Sequence, residues 1–157
     1  MRRKDREITD IQEIGKIVDK ARFLHLGLLD GGYPYVVPLH YGYEFTGDAL
    51  VLYMHGATEG HKLDLINNDP RVCVELECDT ELLSGGDVPC HYGSTFASVI
   101  GRGEAEIVTE EGEKIRGLKL LMLHQTGREF EIDGGMAASV AVIRVTLREF
   151  TAKARTV

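Results

Sequence analysis

The apolar positions of the chain follow two rhythms. Between Asp10 and Ala21, Ile11, Ile14, Ile17 and Val18 recur at helical spacing, with Asp10 placed to cap the helix and Glu13 three residues on. Phe23-Leu24-His25-Leu26-Gly27-Leu28-Leu29 is a short apolar run, and Asp30-Gly31-Gly32 separates it from an extended segment over 33–43. Two runs joined by such a turn predict a β-hairpin. Pro34 and Pro38 lie in its second arm, and proline has no N–H for a strand ladder, so this arm is an edge, a bulge or backbone left open for something else.

After a turn at Thr46-Gly47-Asp48 the pattern predicts a strand over 49–54, then a helix from near Thr58 to just before Pro70 carrying Leu63, Leu65 and Ile66. A strand over 72–76 sets Val and Cys against Glu. A loop-rich insert over 78–94 centres on Ser84-Gly85-Gly86-Asp87. A strand over 96–107 and a helix over 110–126 follow. Gly134-Gly135 breaks the chain, and residues 139–152 form a last strand or strand pair. Strands with hairpin-length links outnumber helices. This predicts a mainly β domain with flanking helices, an antiparallel barrel or sandwich rather than an alternating βαβ fold. No internal repeat or linker divides residues 1–157, which read as one domain.

A net charge of −7 argues against a nucleic-acid backbone as the main partner, yet leaves room for a local basic pocket that holds a small anion. The opening MRRKDREITD has no apolar run behind it, so no signal peptide or membrane anchor is expected. The expected location is cytoplasmic, with Cys73, Cys78 and Cys90 as reduced thiols. Structural zinc spacings are missing, so no metal site is expected. Cys90, in a loop, is the more reactive thiol of the three, and His124 reads as a packing histidine.

The richest chemistry lies in Tyr53-Met54-His55-Gly56-Ala57-Thr58-Glu59-Gly60-His61-Lys62, which leaves a strand, turns and enters a helix. A helix N-terminus offers unpaired amides and positive partial charge, a ready anion site. Cations at that end, His61 and Lys62 here, are unfavourable by about 0.3–1 kcal/mol unless an anion sits between them and the helix. Gly56 and Gly60 let the backbone approach closely, and Thr58 can cap the helix or donate its hydroxyl. The alternative is a solvated helix start in which Glu59 offsets Lys62. Two further stretches admit two readings each. Val36-Val37-Pro38-Leu39-His40-Tyr41 is either a proline-protected edge or a lining for a planar heterocycle. Ser94 to Gly103 is either plain strand or a source of hydroxyls for a phosphate or ribityl chain.

Taken together, these stretches resemble the flavin-binding split-barrel family, which includes the pyridoxamine 5′-phosphate oxidases, and within it the 5-nitroimidazole resistance (Nim-type) proteins. The resemblance is carried by Met1-Arg2-Arg3-Lys4-Asp5-Arg6-Glu7, Tyr33-Pro34-Tyr35-Val36-Val37-Pro38-Leu39, His55 with Gly60-His61-Lys62-Leu63-Asp64, and Ser98-Val99-Ile100-Gly101. It implies a six-stranded antiparallel split β-barrel that dimerises with FMN in clefts between the subunits. It implies that Lys62, with Gly60, His61 and Ser98, grips the phosphate. Pro38, Leu39, His40 and Tyr41 would line the isoalloxazine, and Tyr53, Met54 and Val99 belong to the cofactor-binding stretches. His55 would stand on the substrate side as the catalytic candidate. Ala97 departs from the larger or charged residue of many relatives, and the C-terminal segment lacks an Arg-rich phosphate cluster, which puts a pyridoxal phosphate substrate in doubt.

The implied activity is an FMN-dependent oxidoreductase that passes electrons to a nitroaromatic or similar small planar acceptor. NAD(P)H would bind only transiently, since no G-x-G-x-x-G motif is present. The alternatives are a flavin- or haem-binding module without turnover and a pyridoxamine phosphate oxidase.

Overall fold

The computed structural model of the protein describes residues 3–156; Met1 and Arg2 of the opening motif lie outside them. The strands are β1 (Glu7–Ile8), β2 (Leu24–Asp30), β3 (Tyr33–Leu39), β4 (Gly42–Thr46), β5 (Ala49–Gly56), β6 (Arg71–Cys78), β7 (Leu82–Leu83), β8 (Gly93–Ser94), β9 (Phe96–Val108) and β10 (Ala141–Arg155). The helices are α1 (Ile11–Lys20), α2 (His61–Asn68), α3 (Glu111–Thr126) and α4 (Gly134–Ala138).

Eight strands form one antiparallel sheet in the order β3-β2-β6-β9-β10-β5-β4, with β1 on the far part of β10. The expectation of six strands is therefore corrected to eight, and among the described residues no ladder joins β3 to β4 to close a barrel. The long strands β9 and β10 belong to both halves of the sheet. Residues 97–104 of β9 pair with β6, and residues 141–147 of β10 pair with β5. A register shift between Leu147 and Glu149 bends the pair where the halves meet. Bulges of this kind turn a strand and sharpen its twist. Gly103 allows the bend, since a Cβ there would stand 2.0 Å from the Thr146 carbonyl oxygen.

The main core lies inside the curved sheet, where Leu24, Leu26, Leu50, Leu52, Met54, Leu76, Val99, Ile143 and Leu147 meet Ile14, Ile17 and Val18 of α1. Alternation along β5 sends Val51 and Tyr53 to the other face, where they pack with Leu118 of α3 and Ala137 of α4. Two glycines seat α3 against this face. Gly117 faces the Tyr53 ring and Gly42 faces the backbone of Leu121, each too close for a side chain.

Several sequence expectations hold in detail. Asp10 caps α1 by accepting from the Gln12 amide at 2.8 Å, although Glu13 turns outward to Lys16 instead of completing a capping box. Others change. The single extended segment over 33–43 is two strands, because the chain crosses from one half of the sheet to the other at His40-Tyr41. The helix after β5 starts at His61, with Gly60 and not Thr58 as its N-cap. Gly134-Gly135 opens α4 rather than breaking the chain, because Asp133 accepts from the Met136 amide and caps the turn. The insert over 78–94 contains the small β7–β8 hairpin, tied by Thr95, whose hydroxyl donates to the Asp79 carbonyl at 2.6 Å.

Candidate functional site

The antiparallel pairing of β4 with β5 sets Gly42 opposite Tyr53. Continued by two residues, that register brings His40 alongside His55. The chain then turns through Gly56 into α2. A Cβ on Gly56 would stand 2.8 Å from the Lys62 Nζ, so the ammonium lies over the end of β5. His40, His55 and Lys62 thus share one corner of the molecule. Burial, followed by the charges of His40 and Lys62, lowers the pKa of His55, although its ring still reaches solvent.

The start of α2 completes this corner. Gly60 has φ of 139°, a backbone state that favours glycine. Its carbonyl takes the Leu63 and Asp64 amides, which leaves the amides of His61 and Lys62 with no acceptor inside the helix, and no side chain caps them. The two cations differ. His61 Nε2 meets Asp30 Oδ2 at 2.8 Å and its ring stands edge-on to Tyr35, so the β2–β3 hairpin already occupies it. Lys62 is half-buried and forms no ion pair with Glu59 or any other acid among the described residues. An uncompensated ammonium beside free helix amides is an anion-binding arrangement.

The structure divides the residues singled out in the sequence. His40, His55, Gly60, His61 and Lys62 assemble here. Pro38 is exposed and Leu39 half-buried at the end of β3, which leads into the same corner. Tyr41, Met54 and Val99 are at most 1% exposed and belong to the core, so the structure does not bring their side chains to this corner's surface. The Tyr41 hydroxyl donates its one proton to the Val18 carbonyl at 2.6 Å, shared with the Ala21 carbonyl at 3.1 Å, closing the end of α1. Tyr53 is buried beneath α3, with its hydroxyl 3.2 Å from Glu113. Ser98 is buried on β9 opposite Glu77, whereas Asp30, the partner of His61, lies beyond the Gly27–Cys73 pair at the other end of β2 and β6. At about 3.3 Å per residue these ends are roughly 20 Å apart, so within one chain Ser98 does not join Lys62.

Sequence reasoning missed Asp30, Arg22 and Gln125. Asp30 reads as a turn residue, and Gln125 as the polar end of a helix; only the packing of α3 against residues 40–41 brings Gln125 to His40, with Oε1 2.8 Å from Nδ1. His124 is the packing histidine expected of it, set between the carbonyls of Tyr41 and Asp19 at 2.7 and 2.9 Å. Burial pushes the Cys78 thiol up to about 11, while Cys73 and Cys90 are exposed. Among the described residues no three His, Cys, Asp or Glu side chains gather as a metal site, and no helix is long and apolar enough to cross a membrane.

The larger clefts lie elsewhere. One of about 630 Å³ between β5, β10 and α3 is lined by acids and arginines, most of them paired: Arg144 with Glu113 and Arg116 with Glu44. The candidate corner is instead an open surface beside the edge strand β3.

The fold has known counterparts. A solved structure of a protein assigned to 5-nitroimidazole antibiotic resistance, from Bacteroides thetaiotaomicron, is 30% identical, with 94% of this chain and 86% of that one covered at a TM-score of 0.80. A flavocytochrome from Azotobacter vinelandii shares the fold at 21% identity over 100% of this chain and 72% of its own, with a TM-score of 0.79. An FAD- and haem-binding protein from Mycobacterium smegmatis does so at 16% identity over 97% and 74%, also at 0.79. No curated protein matches the chain. The family model for pyridoxamine 5′-phosphate oxidase matches residues 10–154, from the cap of α1 to the end of β10. With the match spanning both halves of the sheet and the whole candidate corner, the chain belongs to the pyridoxamine 5′-phosphate oxidase-like family.

Proposed function

We propose that the protein is an FMN-dependent oxidoreductase that reduces a nitroaromatic or similar small planar acceptor. The observation that carries this reading is the unpaired Lys62 ammonium over Gly56, beside the uncapped amides of α2. These residues fit a phosphate, because the site supplies one free positive charge and backbone donors without a competing carboxylate at Lys62. Lys62, Gly60 and the α2 amides would hold the FMN phosphate, with His61 fixed by Asp30 at its side. Bound FMN would supply the electron-transfer chemistry. His40 and the exposed end of β3 would face its ring, and His55 would hold or release a proton at its imidazole.

A homodimer with FMN at the subunit interface fits two observations. The outer face of β3, β2, β6 and β9 exposes Val36, Leu29 and Ile100. Ser98, remote from Lys62 in its own chain, makes no hydrogen bond through its hydroxyl among the described residues, and a site that used both residues would need a second copy. The 30% identical relative associated with 5-nitroimidazole resistance supports the nitro-group acceptor. The two haem-associated neighbours support the fold alone, so the reading without turnover stands as the alternative.

The test is a visible spectrum of the purified protein, the mass of any released cofactor, and steady-state turnover of NAD(P)H with a nitroaromatic. FMN by mass and turnover would support the proposal. FMN without turnover would leave a binding module. No affinity for added FMN would reject the flavin reading.

A further inference from the structure

The imidazole of His40 is held by groups that decide its tautomer. Its Nδ1 lies 2.8 Å from Gln125 Oε1 and 3.2 Å from the Arg22 carbonyl oxygen. The Gln125 amide is oriented by its surroundings: its Nε2 donates to the carbonyls of Tyr41 at 3.0 Å and Arg22 at 3.3 Å and stands 3.1 Å from His124 Nδ1, and the reverse orientation would set its oxygen against both carbonyls. Both neighbours of Nδ1 are therefore acceptors, and Nδ1 must carry a proton. The neutral ring then presents Nε2 as a lone pair. Phe23 stacks on the ring at 4.3 Å between centroids and limits its rotation. The ring is exposed, so Nε2 is open to a ligand at the corner shared with His55 and Lys62.

We propose that Gln125 is a positioning residue of the candidate site, which fixes His40 in the Nδ1–H tautomer so that Nε2 accepts a hydrogen bond from a ring N–H of the bound ligand. The ligand part of this inference rests on the flavin reading, since a flavin carries such a donor at its uracil-like edge. The arrangement divides the labour of the corner: Lys62 and the α2 amides answer a phosphate, and His40 answers a neutral donor on the ring. Gln125 reaches neither; it acts through His40 alone.

The test uses full-length protein with 15N-labelled imidazoles, together with FMN titrations of the wild type and Gln125→Leu. The wild type is expected to show a protonated Nδ1 and an unprotonated Nε2 at His40. Gln125→Leu leaves Nδ1 only the Arg22 carbonyl at 3.2 Å, and is expected to shift the ring toward the Nε2–H form and to weaken FMN binding by up to about fivefold, the effect of one neutral hydrogen bond. A wild-type His40 protonated at Nε2 and not at Nδ1 would overturn the proposal, as would unchanged nitrogen shifts or unchanged FMN affinity in Gln125→Leu. If the wild type binds no FMN, the flavin reading and the ligand role of Nε2 both fall, while the nitrogen shifts still decide whether Gln125 sets the tautomer.

Discussion

Gly42 lies so close to Leu121 that a Cβ on the glycine would stand 2.2 Å from the Leu121 amide nitrogen. This contact presses α3 onto β4 and brings the end of the helix, with His124 and Gln125, over residues 40–41. Gly42→Ala is expected to push the helix away and cost about 1–3 kcal/mol or more, as overpacking does. Chemical denaturation would measure it, and an unchanged midpoint would contradict the close packing.

Tyr41→Phe removes the one hydroxyl proton that the carbonyls of Val18 and Ala21 share at the end of α1, without opening a cavity. Such a hydrogen bond is worth about 0.5–1.5 kcal/mol, so the thermal midpoint is expected to drop by a few degrees. FMN affinity is expected to stay within about twofold, because the buried ring offers a ligand nothing. A large loss of affinity at unchanged stability would restore Tyr41 to the binding site.

Lys62→Ala separates phosphate from ring. A charged hydrogen bond contributes about 1.5–3 kcal/mol, so FMN binding is expected to weaken between about tenfold and a hundredfold. Riboflavin, which lacks the phosphate, is expected to bind the variant and the wild type alike. Equal losses for both ligands would place Lys62 against the ring.

His55 is harder to protonate in the folded protein than in the unfolded chain, through burial and the charges of His40 and Lys62. Below the ordinary histidine value of 6.5 the unfolded chain therefore takes up a proton that the folded state resists. Stability contributed at this position is intact above that pH and falls as pH drops towards the lowered folded value. A phosphate bound nearby favours the charged ring, so FMN binding is expected to take up protons and tighten as pH falls through the same window. Calorimetry in buffers of differing ionisation heat would count those protons, and His55→Gln is expected to abolish the uptake.

Ile100 is 43% exposed in the middle of the outer sheet face, opposite Glu75 on β6 and Thr151 on β10. If two copies pair through this face, Ile100→Arg is expected to yield monomers that bind FMN poorly, visible by sedimentation. A wild type that is monomeric yet binds FMN would remove the interface from the proposal.

Local patterning was enough for much of this molecule. The period of Ile14, Ile17 and Val18 and the cap at Asp10 specify α1, because both depend on neighbours within one turn. Alternation and Asp30-Gly31-Gly32 specify the β2–β3 hairpin for the same reason, and Leu63, Leu65 and Ile66 mark α2, although its start at His61 rather than near Thr58 was set by the turn at Gly60. Tertiary structure decided what those signals could not hold. Strand pairing and the bend at Leu147 and Glu149 arise between segments far apart in the chain, so the eight-stranded sheet was not legible. Whether Tyr41 meets a ligand or closes α1 depends on which face of the chain the core covers. His61 and Lys62 are adjacent in sequence, yet only the fold brings Asp30 to one and leaves the other unpaired. Gln125 gained its place beside His40 only when Gly42 let α3 approach, because a hydrogen bond between residues 85 positions apart leaves no trace in local spacing.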